Sequence, residues 1–105
     1  MSHHQWQQSS FELVSLIGSL DRETVPSLWT YAKQWQPNQN EVELSLKSVE
    51  RIDSAGMVML IHLIEHAKKQ NCHIMLSFVP EQLSTLFKLS HIESILVDHI
   101  HKKQG

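Results

Sequence analysis

Asp53-Ser54-Ala55-Gly56-Met57 decides the reading of this chain. On its N-terminal side Val49 and Ile52 close a strand-like run, and on its C-terminal side Met57-Val58-Met59-Leu60-Ile61 opens a long apolar helix. A small hydroxyl and a glycine at a strand-to-helix switch place an exposed oxygen at a helix N-terminus. The backbone N–H groups there have no intrahelical partner and favour an oxygen acceptor or an added anion. Such a bend suits recognition of a partner or of a phosphate.

Working outward, Val42, Leu44 and Leu46 alternate with Glu41, Glu43 and Ser45, the period of a strand with one more polar face. The helix after the bend runs from about Ala55 to Gln70. Met57, Leu60, Ile61, Leu63, Ile64 and Ala67 form its apolar side, and His62, Glu65, His66 and Lys69 its polar side. Asn71 stops it. Upstream, Phe11 to Ile17 reads as a strand closed by Gly18, with Trp6 to Gln8 as a short edge partner across a Ser9-Ser10 turn. Val25, Leu28, Trp29, Ala32 and Trp35 then mark an amphipathic helix with Asp21 or Thr24 as its cap. Pro26 fits in the first turn, where no N–H is needed, and Pro37-Asn38-Gln39-Asn40 ends the helix. Downstream, His73 to Phe78 reads as a strand, Val79-Pro80-Glu81 as a turn and Gln82 to Leu89 as a third helix. The tail from Ile92 to Gly105 fits a short helix or a final strand equally.

The order β-β-α-β-α-β-α predicts an α/β domain with a mostly parallel central sheet of four or five strands and crossover helices. The 105 residues suffice for one domain with a real core, about 11–92, leaving 93–105 as tail. Nine basic residues against eleven acidic ones give no basic stripe for nucleic acid. The single cysteine, Cys72, excludes an internal disulfide and reads as a bystander thiol. The N-terminus carries no secretory signal, and the run Met57 to Ile61 falls far short of the roughly 20 apolar residues of a membrane span. The expectation is a soluble domain with no direct membrane insertion.

Catalytic readings fare poorly. His62-Leu63-Ile64-Glu65-His66 matches the inverted zinc-protease signature H-x-x-E-H, but no further ligand or second domain accompanies it. Both histidines fall on the polar side, as a solvated pair one turn apart. Ser54 lies in no G-x-S-x-G elbow, and Gly56 stands alone rather than in a phosphate cradle. No metal, cofactor or enzymatic activity is expected.

Gly18-Ser19-Leu20-Asp21, Val42-Glu43-Leu44-Ser45-Leu46 and Val49-Glu50-Arg51-Ile52-Asp53-Ser54-Ala55-Gly56-Met57 resemble the STAS domain family of anti-sigma-factor antagonists and sulfate-transporter tails. Two flanks, Leu20-Asp21 with Thr24-Val25-Pro26-Ser27-Leu28-Trp29 and Leu60-Ile61-His62-Leu63 with Ala67-Lys68-Lys69-Gln70, are similar to the stand-alone STAS subunits of bacterial phospholipid ABC transporters. The resemblance implies a non-catalytic cytoplasmic subunit, peripheral at the inner membrane through its partner. That partner is the transporter's ATPase, which works with a permease and a lipid-binding subunit to maintain outer-membrane lipid asymmetry. Carried over by position, the contact surface is Trp29, Ser54, Ala55, Gly56 and Met57.

The residues themselves add to this surface. Val58 and Met59 lie off the apolar side of their helix, near His62, as large apolar groups beside a helix start. Trp29 sits at the edge of its helix's apolar stripe, where it can anchor an interface. Burial under the C-terminal tail is the competing reading for Val58 and Met59, and core packing for Trp29. Ser54 reads as a helix cap and partner contact. In the alternative function it is phosphorylated in an anti-sigma-factor antagonist, adding close to two negative charges beside Asp53 and so controlling partner exchange. Those antagonists typically carry two adjacent hydroxyls at this motif, and this chain has Ala55 in the second place.

Overall fold

The computed structural model describes residues 3–90; the C-terminal tail lies outside them. Four strands form one sheet in the order β1 (Trp6–Gln8), β2 (Leu13–Leu20), β3 (Glu41–Ile52), β4 (His73–Ser77). β1 runs antiparallel to β2, and the β2–β3 and β3–β4 pairs are parallel. The helices α1 (Val25–Ala32) and α2 (Ser54–Lys68) make the two crossovers, and α3 (Glu81–Ser90) follows β4. The α/β expectation, mostly parallel with four strands, holds.

Alternation explains which sheet face carries the helices. Val14 and Leu16 of β2, Val42, Leu44 and Leu46 of β3, and Ile74 and Leu76 of β4 are all buried and share one face. Leu28 and Ala32 of α1, Leu60, Leu63, Ile64 and Ala67 of α2, and Leu83 and Phe87 of α3 complete that core. The opposite face carries Ser15, Glu43, Ser45 and Ser77, where the Ser77 hydroxyl donates to Glu43 Oε2 at 2.6 Å. No helix among the described residues is long and apolar enough to cross a membrane.

Several boundaries depart from expectation for identifiable reasons. β2 starts at Leu13, because Ser9 and Ser10 both donate their N–H to its carbonyl and Phe11 is left on the turn, 71% exposed. Gly18 does not end β2. It adopts φ +82°, and the buried Gln5 amide donates to the carbonyls of Ile17 and Ser19 on either side, so the strand continues through the irregularity to Leu20. β3 is one strand of 12 residues although its alternation fails after Leu46. The pairing steps from Ser15↔Ser45 to Ile17↔Ser48, and from Gly18↔Val49 to Ser19↔Arg51, so β3 carries an extra residue at each step.

α1 ends at Ala32 rather than Trp35. Gln34 and Trp35 donate to the carbonyls of Tyr31 and Ala32, a tightened last turn, and the Trp35 ring then packs edge-on against Trp6 with centroids 5.2 Å apart. Pro26 does occupy the first turn. Thr24 stands at the N-cap without a capping side-chain bond, and Asp21 Oδ1 instead accepts from the N–H groups of Glu23 and Thr24. Asn71 closes α2 in the left-handed conformation, φ 61°, as Cys72 N–H reaches back to the Ala67 carbonyl.

Candidate docking site at the start of the second helix

The bend is built by Asp53 and Gly56. Asp53 holds an extended conformation at the N-cap of α2, where its Oδ1 accepts from the N–H groups of Ala55 at 2.8 Å and Gly56 at 3.2 Å. The cap is therefore Asp53. Ser54, expected to cap, is the first helical residue and is exposed. The backbone N–H of Asp53 donates to the Leu20 carbonyl, and its Oδ2 accepts from Arg22 N–H at 3.4 Å. One carboxylate thus joins the start of α2 to the turn between β2 and α1.

Gly56 faces inward. A Cβ there would overlap the Leu20 carbonyl oxygen and stand 2.7 Å from Ile52 Cγ1 and 2.9 Å from Leu20 Cβ. Leu20 and Ile52 are register partners at the ends of β2 and β3, so glycine lets the helix start rest directly on the sheet. Met57 is also turned in, 6% exposed, with its Sδ near the Ser90 hydroxyl at the end of α3.

The remaining residues of the bend face outward into an open groove of about 400 Å³ between α1 and α2. Val25 and Trp29 of α1 form one wall, and Ser54, Ala55, Val58, Met59 and His62 of α2 the other wall and floor. Val58 is 45% exposed, whereas Met59 is 2% exposed and offers the groove only an edge. The Trp29 ring is half-buried, with the His62 ring 6.0 Å away at a 44° tilt.

The proposed contact residues therefore divide. Trp29, Ser54, Ala55 and Val58 come together on one accessible apolar surface. Gly56, Met57 and most of Met59 belong to the interior, which corrects the expectation that Met59 stands exposed beside Val58 and turns Met57, a contact residue by the resemblance, to the apolar side its spacing gave it. Val25 and His62 line the groove without having been singled out for it. Their signal was the pairing of two stripes one turn long, Val25 with Trp29 and Val58 with His62, each at i, i+4.

The two histidines of the H-x-x-E-H match also part company. His62 is exposed, but His66 is half-buried, its Nε2 2.8 Å from the Trp35 carbonyl. A carbonyl only accepts, so that nitrogen carries a proton and donates. The expectation of a solvated pair fails for His66. No group of three or more metal-ligating side chains forms among the described residues. Cys72 is buried, which together with the nearby Glu41 charge pushes its thiol pKa up, away from reactivity.

A family model described as "MlaB, STAS domain" matches residues 4–98. The chain belongs to the MlaB-type STAS domain family. It is 32% identical over 87 residues, 83% of this chain and 87% of the relative, to the intermembrane phospholipid transport system binding protein MlaB of Escherichia coli strain K12. The protein of that name from Haemophilus influenzae is 28% identical over 89 residues, covering 81% of this chain and 85% of the relative. Among solved structures, the anti-sigma factor antagonist SpoIIAA in its unphosphorylated form superposes with a TM-score of 0.69 at 15% identity, covering 92% of this chain and 84% of that one. At that identity the likeness shows the fold alone. In this chain the Asp53-Ser54-Ala55-Gly56 turn has an architectural half, Asp53 and Gly56, and an outward half, Ser54 and Ala55.

Proposed function

We propose that this chain is a non-catalytic STAS subunit of an intermembrane phospholipid transport system, and that it docks on the ATPase of the transporter through the α1–α2 groove. The observation that carries the reading is the match to the MlaB relatives over more than four-fifths of the chain. The groove supplies a surface suited to the role. Its half-exposed Val58 and Trp29 form an apolar anchor, and the Ser54 hydroxyl and His62 stand at the polar ends. In this reading the protein is cytoplasmic and sits at the inner membrane through the ATPase. It meets the permease and the lipid-binding subunit only indirectly, and it supports ATPase assembly or activity in maintaining outer-membrane lipid asymmetry.

Ser54 also gives the reading a point of control. A phosphoryl group there would sit beside the Asp53 carboxylate and the apolar Val58, adding like charge and desolvation cost at the contact. Tagged full-length chain expressed in its own cell is expected to co-purify with a membrane ABC ATPase, and Ser54→Asp to abolish that association while the domain stays folded. Co-purification with a soluble serine kinase in place of the ATPase, with phosphate on Ser54, would replace the transporter role by partner switching of the anti-sigma-factor-antagonist kind.

A further inference from the structure

His66 has no part in the groove's lining, yet it touches both things that place α1 beside α2. α1 has only eight residues and buries just Leu28 and Ala32, so little of its own surface fixes its position. After its tightened last turn the chain leaves toward Pro37, which has no N–H, and the Trp35 carbonyl points at α2. There His66 Nε2–H donates to it at 2.8 Å, and the side-chain amide of Gln70, one turn on, lies beside the same oxygen. Beside that protonated nitrogen, at 2.9 Å, the Gln70 amide can only accept, so it turns its oxygen to the imidazole, whose N–H is shared between Gln70 and the Trp35 carbonyl. The same imidazole stands edge-on to the Trp29 ring, with centroids 6.2 Å apart and planes at 82°. One side chain therefore fastens the exit of α1 by a hydrogen bond and braces the aromatic wall of the groove by ring contact.

We infer that His66 is a positioning residue for the docking groove: its Nε2–H, steadied by the Gln70 amide, holds the end of α1 against α2 and so sets where Trp29 stands for a partner. The inference rests on the groove being the docking surface. It also assigns the ring a single state at Nε2, protonated there whether the imidazole is neutral or cationic, because the acceptor has no hydrogen to give.

Two substitutions separate donor from ring. His66→Phe keeps an aromatic edge against Trp29 and removes the donor. His66→Gln removes the ring and restores an amide N–H at nearly the same reach. Nitrogen-15 spectra of the full-length chain should show the Nε2–H tautomer for His66. His66→Phe should move the Trp29 indole N–H resonance and weaken binding to the purified transporter ATPase about fivefold, the equivalent of ~1 kcal/mol for one lost hydrogen bond. His66→Gln should recover most of that affinity. An Nδ1–H tautomer, an unmoved Trp29 resonance in His66→Phe, or a His66→Gln variant no better than His66→Phe overturns the inference. Val58→Glu serves as the control: if it binds the ATPase as the unaltered chain does, the docking reading itself falls, whatever His66 does to Trp29.

Discussion

Two depressions flank the start of α2, and Ser54 borders both. On the α1 side the walls are Val25, Trp29, Ala55 and Val58, apolar and open. On the α3 side the rim is Glu81, Gln82 and Thr85, with Ile52, Asp53 and Leu86 below. This second depression, about 660 Å³, is also open, but the chain runs one of its own joints through it: the Ile52 N–H donates to Gln82 Oε1 at 3.2 Å and ties the end of β3 to α3. On the α1 side the ties lie at the two ends, where Asp53 Oδ2 accepts from the Arg22 N–H and where His66 holds the Trp35 carbonyl, and among the described residues no hydrogen bond joins the side chains that line the groove across it. The contrast teaches that apolar accessibility alone does not mark a docking surface. What separates the two sides is whether the molecule has already used the polar groups around the depression for its own joints.

Substitutions can break this contrast or sharpen it. The largest effect belongs to Gly56→Ala, which removes both sides at once. The added methyl has to displace the Leu20 backbone rather than the end of a flexible side chain, so unfolding free energy from urea titration should fall by about 3 kcal/mol. Trp29→Ala comes next and acts on binding. Affinity for the ATPase by calorimetry should drop about thirtyfold, near 2 kcal/mol, since truncating a central aromatic anchor removes most of what one side of a groove contributes.

Asp53→Ala should cost about 1 kcal/mol of stability through the lost cap, whereas Ser54→Ala should stay within about 0.5 kcal/mol because its hydroxyl is not the cap. Equal losses for the two variants in the same denaturation assay would return the cap to Ser54. The smallest effect is expected of Thr85→Glu on the α3 side. The residue is exposed and lies across the rim from the groove, so neither stability nor ATPase affinity should change measurably.

Much of this architecture was legible in the residues. Alternation in Val42-Leu46, the 3.6-residue period from Met57 to Ala67 and the placement of Pro26 and Asn71 all act locally, and the order and type of the elements followed from them. The errors have longer-range causes. β3 hides half its length because two irregularities in its pairing with β2 shift the side-chain alternation, and only the partner strand reveals the shift. Val58 and Met59 are neighbours that a single-helix wheel puts on the same outer side, yet α2 packs against α1, α3 and the sheet together. Met59 is absorbed by that wider contact and Val58 is not. His66 could not be separated from His62 without knowing that α1 stops at Ala32 and brings the Trp35 carbonyl within reach. The bend itself was readable as a site, while its division into an inward Gly56 and Met57 and an outward Ser54, Ala55 and Val58 needed the sheet beneath it.

The account stands on the α1–α2 groove being the face that meets the ATPase. Titrating isotope-labelled full-length chain with the purified ATPase subunit, and following the backbone amide and methyl resonances, tests this directly. The account predicts the strongest perturbations at Val25, Trp29, Ser54, Ala55, Val58 and His62, with Glu81, Gln82 and Thr85 little changed. Perturbations concentrated on the α3 side or on the polar face of the sheet, with Trp29 and Val58 unmoved, would contradict it.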